Sequence, residues 1–188
     1  FHALIFTEKG MVYIDPYQQN DTENYISYYK HDYQSAKNVS CHVVDEDNHA
    51  EEVKRLVENM RRNNERPSGA TLLTYRAAVA ATGEYTAFHG GTVAGALSAI
   101  TTTMNRVSGV YQVELSIRLQ LIANNNTIIY TNATTDPYTN NSGSTMLGEN
   151  QTNVDNLIGN ANYDIGHVFS TGGGGIAGLG VVCRTGQK

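Results

Sequence analysis

One long amphipathic helix between two strand-like segments limits the fold of this chain more than any other feature. Its apolar residues recur at intervals of three and four, so they share one helical face: Val93, Leu97, Ile100, Met104, Val107 and Tyr111. Gly91 and Thr92 supply an N-cap, and Gly109 is a stop signal. Segments 71–80 and 115–123 on either side alternate as strands do. The order of strand, helix and strand predicts an α/β domain.

The segments that follow extend the same domain. We predict a turn at 124–126, a second strand over 127–131 and a polar loop over 132–151. Thr152 and Asp155 have the spacing of a capping box, which would open a short helix through Ile158. The predicted fold class is α/β (α+β), with a mixed, mostly parallel sheet and the long helix, over residues 70–188.

The N-terminal part of the chain has a different character. Two apolar runs, 3–6 and 11–14, are separated by Glu8-Lys9-Gly10 and predict an antiparallel hairpin. A further strand is expected at 39–44. These features predict a small antiparallel β piece over 1–45. Residues 46–69 are rich in acids and bases, and they predict a charged linker between the two parts.

The C-terminal segment contains two strand-like runs around four consecutive glycines. We interpret 162–170 and 176–183 as two strands folded back on each other, with 172–175 as the turn. The second run is rich in glycine, and a strand with few side chains lets another backbone lie alongside it. It is therefore predicted to be an exposed edge strand.

Charge and hydropathy exclude several partners. The net charge is −5 and the pI is about 5.6, which argues against a nucleic-acid partner. No apolar run approaches the ~20 residues that span a bilayer, so no membrane partner is expected. Six Asn-x-Ser/Thr sequons begin at asparagines, a weak indication of an extracellular protein: Asn20, Asn38, Asn125, Asn132, Asn140 and Asn150. Because Phe1 follows no signal peptide, we expect an excised piece of a longer chain.

The sequence contains no recognisable catalytic or metal-binding motif. Its six histidines include no pair at i, i+4, and the Cys41-His42 and His49 cluster matches no standard zinc spacing. There is no Gly-x-Ser-x-Gly nucleophile elbow. The four glycines lack the Gly-Lys-Ser/Thr ending of a phosphate-binding loop. We therefore predict no catalytic residue and no metal ligand in these 188 residues.

Residues 70–188 nevertheless resemble the metzincin metallopeptidases of the reprolysin/adamalysin type, particularly secreted bacterial members. The resemblance depends on the first strand with the segment 81–93 that leads into the long helix, on the strand 115–121, and on the C-terminal runs 162–169 and 175–183. The last pair is the most specific, because in that family a Gly-Leu-Ala-like strand ending in Cys forms the upper rim of the cleft. Residues 1–45 would then be the end of a pro-region or N-terminal domain.

The resemblance implies a function for the C-terminal strand. Ile176, Ala177, Gly178 and Leu179 would pair with an extended peptide substrate through backbone hydrogen bonds. The family's zinc motif, His-Glu-x-x-His-x-x-Gly-x-x-His, does not occur here, and in the family it would follow shortly after the position of Lys188. The implied parent is a secreted zinc endopeptidase, in which zinc belongs to the parent and none is bound by this chain.

The same reading implies the partners of the chain and the state of its cysteines. The partners would be a peptide or protein substrate and the remainder of its own catalytic domain, with oligomerisation through exposed apolar surface. Cys41 and Cys183 would form one disulfide or remain two free thiols. A further hypothesis makes Cys41 a thiol that caps the zinc in the whole precursor.

The alternative is a non-enzymatic secreted binding or adhesion module. Such a module would use the tyrosines near residues 25–33 and the polar segment 132–151 as its recognition surface. A His-Glu-x-x-His helix encoded downstream would decide for the peptidase.

Overall fold

The computed structural model of the chain describes residues 1–34, 41–44 and 71–188, with Glu51, Lys54, Arg55 and Glu58 between them. The chain divides into two compact units, Phe1–Asn38 and Val39–Lys188. The predicted charged linker at 46–69 lies almost wholly outside the described residues. The predicted division into 1–45, 46–69 and 70–188 stays a prediction.

The first unit is a three-stranded antiparallel sheet in the order β1-β2-β3. β1 spans Ala3–Thr7, β2 spans Gly10–Pro16 and β3 spans Tyr25–Tyr29. The register pairs Ala3 with Ile14, which confirms the predicted hairpin. Pairs such as Tyr13–Tyr28, with ring centroids 5.7 Å apart, bring side chains together across the strands.

The second unit contains a three-stranded parallel sheet in the order β6-β5-β7. β5 spans Leu73–Ala81, β6 spans Ile117–Leu121 and β7 spans Ile165–Phe169. A separate pair is formed by β4, Cys41–Val44, and β8, Gly175–Gly178. The predicted α/β class, with a small antiparallel sheet ahead of it, is confirmed.

Three α-helices of the second unit have described bounds. α1 spans Gly83–Phe88, α2 spans Val93–Leu115 and α3 spans Gly143–Leu157. Ala78 and Ala80 of β5 pack with Met146 and Val154 of α3. The alternate residues Ala77, Val79 and Ala81 pack with Ala96 and Ile100 of α2. Residues 77–81 of β5 are thus buried on both faces between two helical layers, and the alanines among them leave room for both helices to approach closely.

The predicted long helix is confirmed at its start and extends further than predicted. The Thr92 side chain accepts a hydrogen bond from the Gly95 N–H as the N-cap. Gly109 does not end the helix, since an interior glycine costs only about 1 kcal/mol relative to alanine. The helix ends at Ser116, which has a left-handed conformation with φ 55°.

The predicted hairpin at 124–131 is wrong. A 3₁₀ turn at Asn125–Ile128 replaces the second strand, and Ile129 makes a single parallel bridge to Ala81. The Asn125 side chain accepts from the Val79 N–H and donates to the Val79 carbonyl, both at 2.8 Å. The Asn125 side chain therefore takes the hydrogen-bonding place that a neighbouring strand would have beside Val79. No second strand is needed at this position of β5.

The predicted polar loop at 132–151 is also wrong from residue 143 onwards. α3 begins after Ser142, so the predicted capping box at Thr152 and Asp155 lies inside the helix. The buried residues Met146, Asn150 and Val154 follow one another at intervals of four, and they form the face that packs on the sheet. The burial of this face outweighs the low helix propensity of the Gly, Ser, Thr and Asn residues around it.

No helix among the described residues is both long and apolar enough to cross a bilayer.

Candidate peptide-binding edge

The predicted hairpin of the two C-terminal strands is wrong, and its two halves have different partners. β7 pairs in parallel with β5, from Ala77–Ile165 to Ala81–Phe169. β8 pairs in parallel with β4, from Cys41–Gly175 to Val44–Gly178. The glycine run between β7 and β8 includes Gly174 with φ 97°, which other residues rarely adopt. The chain therefore leaves the main sheet at this point.

β8 has a hydrogen-bonded neighbour on one flank. Among the described residues, no strand pairs with its other flank. Gly175 and Ala177 are exposed, while Ile176 and Gly178 are half-buried. Three of the four residues predicted to align a peptide thus lie in this strand, and Leu179 follows directly after it. The predicted edge character of the segment agrees with this pairing.

All four of these residues line a cavity of about 1040 Å³ beside β8. Its opposite walls come from the outer margin of β7 and the N-terminal part of α3. The lining residues from these walls include Met146, Leu147, Asn150, His167 and Phe169. None of the described lining residues is acidic, while Arg184 and Lys188 are basic.

Close packing fixes β8 against the start of α3. A Cβ atom on Gly143 would lie 2.9 Å from the Ile176 Cγ2 atom. A Cβ atom on Gly172 would lie 2.8 Å from the backbone carbonyl oxygen of Asn140, which cannot move aside easily. Both glycines allow a close approach, so the half-buried side of β8 rests on α3 and its exposed side faces solvent.

An aromatic row forms the margin of β7. The His167 and Phe169 rings lie 4.8 Å apart, Phe169 stacks on Tyr85 at 5.3 Å, and Tyr85 lies 4.5 Å from His89. Shielding from water lowers the pKa of both histidines, although His167 keeps solvent-exposed surface. The lowered pKa favours the neutral imidazole in both residues, and of the two it is His167 that lines the cavity.

A charged clamp holds the chain that follows β8. Asp164 accepts from Arg76 Nη2 at 2.7 Å and Nε at 3.0 Å, and from the Arg76 backbone N–H at 2.7 Å. Hydrogen bonding from Arg76 lowers the pKa of Asp164. The Asp164 carbonyl accepts from the Cys183 N–H at 2.8 Å. The clamp thus links the first strand of the parallel sheet to the segment after β8.

A buried network holds the last residue. Tyr163 is fully buried, and its hydroxyl donates to Asp155 at 2.7 Å. Desolvation would raise the pKa of Asp155, but hydrogen bonds from Tyr163, Gln151 and Asn160 outweigh it, and the net pKa is lowered. The Lys188 ammonium lies 4.7 Å from the Tyr163 ring centroid and donates to the Asn160 carbonyl.

Both cysteines are free thiols with exposed side chains, so the disulfide left open by the sequence does not form in this structure. The described residues contain no group of three or more His, Cys, Asp or Glu side chains that could hold a metal ion. They therefore do not fit a zinc site.

Three of the sequon asparagines are structural. Asn125, Asn140 and Asn150 are at most 9% exposed. Besides the Asn125 bonds to Val79, the Asn140 amide bonds Thr82 at 2.9 Å and Thr171 at 2.8 Å. Asn150 accepts from the Tyr138 hydroxyl at 3.0 Å. A glycan has no room on a buried, hydrogen-bonded amide, so these three sequons carry no indication of an extracellular location.

One of the three comparisons with known proteins found a match. Residues 71–188, which are more than half of the chain, match the model of the reprolysin-like metallo-peptidases of family M12B. The chain belongs to this family of reprolysin-like metallopeptidases. No curated protein and no solved structure gave a match.

Sequence reasoning missed two parts of the candidate site. It did not identify β4 as the partner of β8, because the pairing joins segments more than 130 residues apart and leaves no local signal. It also missed the α3 wall. The spacing of Met146, Asn150 and Val154 was the available signal, since the three recur every fourth residue.

Proposed function

We propose that this chain supplies the peptide-aligning strand of a secreted, zinc-dependent endopeptidase. One observation carries the proposal. Within the family-matched residues 71–188, β8 pairs with no other described strand, and the strand that does pair with it comes from outside that range. A backbone that accepts a strand from elsewhere in this way is suited to accept an extended peptide.

The chemistry of the strand supports this role. Strand addition binds a guest through main-chain hydrogen bonds, and small residues keep side chains from holding the guest away. Gly175, Ala177 and Gly178 provide such a surface, and Ile176 is turned toward Gly143. The adjoining cavity gives alternate side chains of a guest a partly apolar wall formed by Met146, Leu147 and Phe169.

The zinc ligands of the proposed enzyme lie in residues outside the present sequence. What supports this is the sequence itself, which has no His-Glu-x-x-His motif, together with the lack of fit between the described residues and a zinc site. The proposed partners are therefore a peptide substrate and the remainder of the same catalytic domain. Their contacts would cover the cavity walls beside β7.

The proposal is tested by mapping where a peptide binds. Fluorescently labelled, capped octapeptides of random uncharged sequence are titrated into the chain, and amide hydrogen exchange is followed with and without peptide. We expect slower exchange at the amides of residues 175–179. Ala177→Pro removes one backbone donor and is expected to weaken binding about tenfold, whereas Ala177→Ser keeps the donor and the exposed position.

Two outcomes would overturn the proposal. One is binding whose exchange footprint leaves residues 175–179 unchanged. The other is equal binding by Ala177→Pro and Ala177→Ser, with both variants folded by circular dichroism. Metal analysis of the purified chain is an independent check on the zinc assignment, because one tightly held zinc per chain would place the ligands inside these residues.

A further inference from the structure

β8 needs contacts outside its own strand pair to keep its position in the second unit. Because β4 and β8 form a separate two-stranded sheet, no backbone ladder among the described residues joins β8 to the parallel sheet. The glycines before β8 carry no side chain that could anchor it, and even a Cβ atom on Gly173 would find no contact within 4 Å. The position of β8 beside the cavity therefore depends on the few residues that bond to the chain around it.

Asn140 provides such bonds just before β8. Its Oδ1 atom accepts from the Thr82 hydroxyl at 2.9 Å and from the Thr171 N–H at 3.1 Å. Its Nδ2 atom donates to the Thr171 hydroxyl at 2.8 Å and to the Asn141 Oδ1 atom at 3.3 Å. Since an amide offers two donors and two acceptor sites, the Asn140 side chain is fully used within the protein.

The two main partners of Asn140 lie in different surroundings. Thr82 follows β5 directly, is fully buried, and donates its N–H to the Phe169 carbonyl at 3.0 Å. Thr171 is exposed, lies four residues before Gly175 and does not line the cavity. The Asn140 amide therefore joins a fixed point in the core to the chain that enters β8.

The backbone around Asn140 supports the same part of the chain. Gly172 lies against the Asn140 carbonyl oxygen, where a Cβ atom would come within 2.8 Å. Three residues further on, Gly143 lies against the Ile176 side chain of β8. Residues 140–143 thus contact both the chain before β8 and β8 itself.

We infer that Asn140 is a positioning residue that holds β8 in place for a guest peptide. This inference rests on the proposed function of β8. Asn140 lines the cavity, but its amide atoms are all engaged, so it acts on a peptide through Thr171. A strand that is already in place binds a guest without first being ordered, and a strand in place in only a fraction of molecules binds more weakly by that fraction.

The matched pair Asn140→Ala and Asn125→Ala tests the inference. Each variant removes a buried amide from the second unit, but the Asn125 side chain bonds to Val79, away from the segment 171–178. We expect Asn140→Ala to bind the labelled octapeptides about tenfold more weakly than the unchanged chain, as it would with β8 in place in about a tenth of the molecules. Asn125→Ala is expected to stay within about twofold of the unchanged chain, although it lowers the free energy of unfolding.

Amide hydrogen exchange without peptide gives a second readout. In Asn140→Ala we expect faster exchange at residues 171–179 and unchanged exchange at residues 77–81 of β5. In Asn125→Ala we expect the faster exchange at Val79 instead. A general loss of stability would speed exchange in both places.

A second pair, at Thr171, covers the case in which Asn140→Ala does not fold. Thr171→Val removes only the hydroxyl that accepts from Asn140, on an exposed side chain outside the cavity wall, while Thr171→Ser keeps it. We expect Thr171→Val to bind the octapeptides about threefold more weakly and Thr171→Ser to bind them like the unchanged chain.

The outcomes separate this inference from the proposed function. If the unchanged chain binds peptide at residues 175–179 and folded Asn140→Ala binds it equally well, Asn140 does not position β8, and the proposed function stands. Equal weakening by Asn140→Ala and Asn125→Ala would reflect lost stability alone and would also overturn the inference, as would equal binding by Thr171→Val and Thr171→Ser. If no form binds peptide at residues 175–179, the proposed function itself fails and the inference fails with it.

Discussion

The two three-stranded sheets of this protein have similar apolar sequences and very different burial. Residues 77–81 of β5 are at most 2% exposed. In the antiparallel sheet, none of the described residues 1–34 is buried, and Ile5 and Phe6 are 45% and 42% exposed. An apolar strand pattern therefore does not by itself make a core. A second layer of structure decides it.

The physical difference lies in what covers each sheet. α2 and α3 cover the opposite faces of β5 through two separate clusters of side chains. The antiparallel unit has strands and turns but no α-helix among its described residues. A small sheet without a covering layer is marginally stable, so we expect the first unit to depend on little more than cross-strand contacts.

The largest predicted effect comes from matched isoleucine truncations. Ile100→Ala opens a cavity beside β5 and is expected to cost about 2–5 kcal/mol of unfolding free energy, because Ile100 is fully buried. Ile5→Ala truncates a side chain that is 45% exposed and should cost less than about 1 kcal/mol. Chemical denaturation of both variants measures the difference. An equal cost would show that the apolar surface of the antiparallel sheet is covered in solution.

A smaller effect is expected from the amide that completes the flank of β5. Asn125→Ala leaves the buried N–H and carbonyl of Val79 without these partners, and we expect a loss of about 2–4 kcal/mol. The neighbouring Asn126→Ala is the control, because Asn126 is exposed and its loss should stay within about 0.5 kcal/mol. If the two variants unfold at the same denaturant concentration, the Asn125 amide does not act as a substitute for a strand.

The smallest effect concerns acid stability. Hydrogen bonding lowers the pKa of Asp164 through Arg76 and that of Asp21 through Asn24. Because the pKa of each carboxyl is lower in the folded protein, the unfolded chain binds protons first as the pH falls. The free energy of unfolding that each carboxylate contributes above about pH 4 is therefore lost as the pH falls through its folded-state pKa. We expect Asp164→Asn to flatten this acid loss when the second unit unfolds, since Asp164 joins β5 to the start of β7.

Asp21→Asn is the comparison for that measurement. Asp21 bonds only to residues two and three positions away in an exposed turn. We therefore expect this variant to leave the unfolding of the second unit between about pH 3 and 7 unchanged. Near-UV circular dichroism monitors this unfolding. A flattened acid limb in Asp21→Asn, with none in Asp164→Asn, would contradict the role assigned to the Arg76–Asp164 clamp.

Local patterns in the sequence predicted the elements whose apolar faces are regular. The stripe from Val93 to Tyr111 identified α2, and alternation identified β5. Two apolar runs separated by Glu8-Lys9-Gly10 identified the hairpin of β1 and β2. The same reasoning failed at 132–151, where Asn, Gly, Ser and Thr dominate a helix that packs through only a few apolar residues. Propensity is a weak guide wherever burial of one face provides the stabilisation.

The candidate site shows the same division. The glycine-rich composition of residues 176–183 predicted an exposed strand, of which the structure forms only the part at Gly175–Gly178. The resemblance at 70–188 sufficed to predict the metallopeptidase family, which the family comparison confirms. Their peptide-binding role remains a proposal. The sequence did not reveal that β8 is separated from β7. It also did not reveal that α3 forms a wall of the cavity beside β8.

By itself, then, the amino-acid sequence determined the elements with regular apolar patterns, which are α2, β5 and the hairpin of β1 and β2, and the family to which residues 71–188 belong. Only the tertiary structure decided which strands pair: β8 with a segment from before the family domain, and Val79 with a side chain in place of a strand. The reason is that periodicity is set by neighbours in the chain. Strand pairing is set by competition between distant backbones for the same hydrogen-bonding flank.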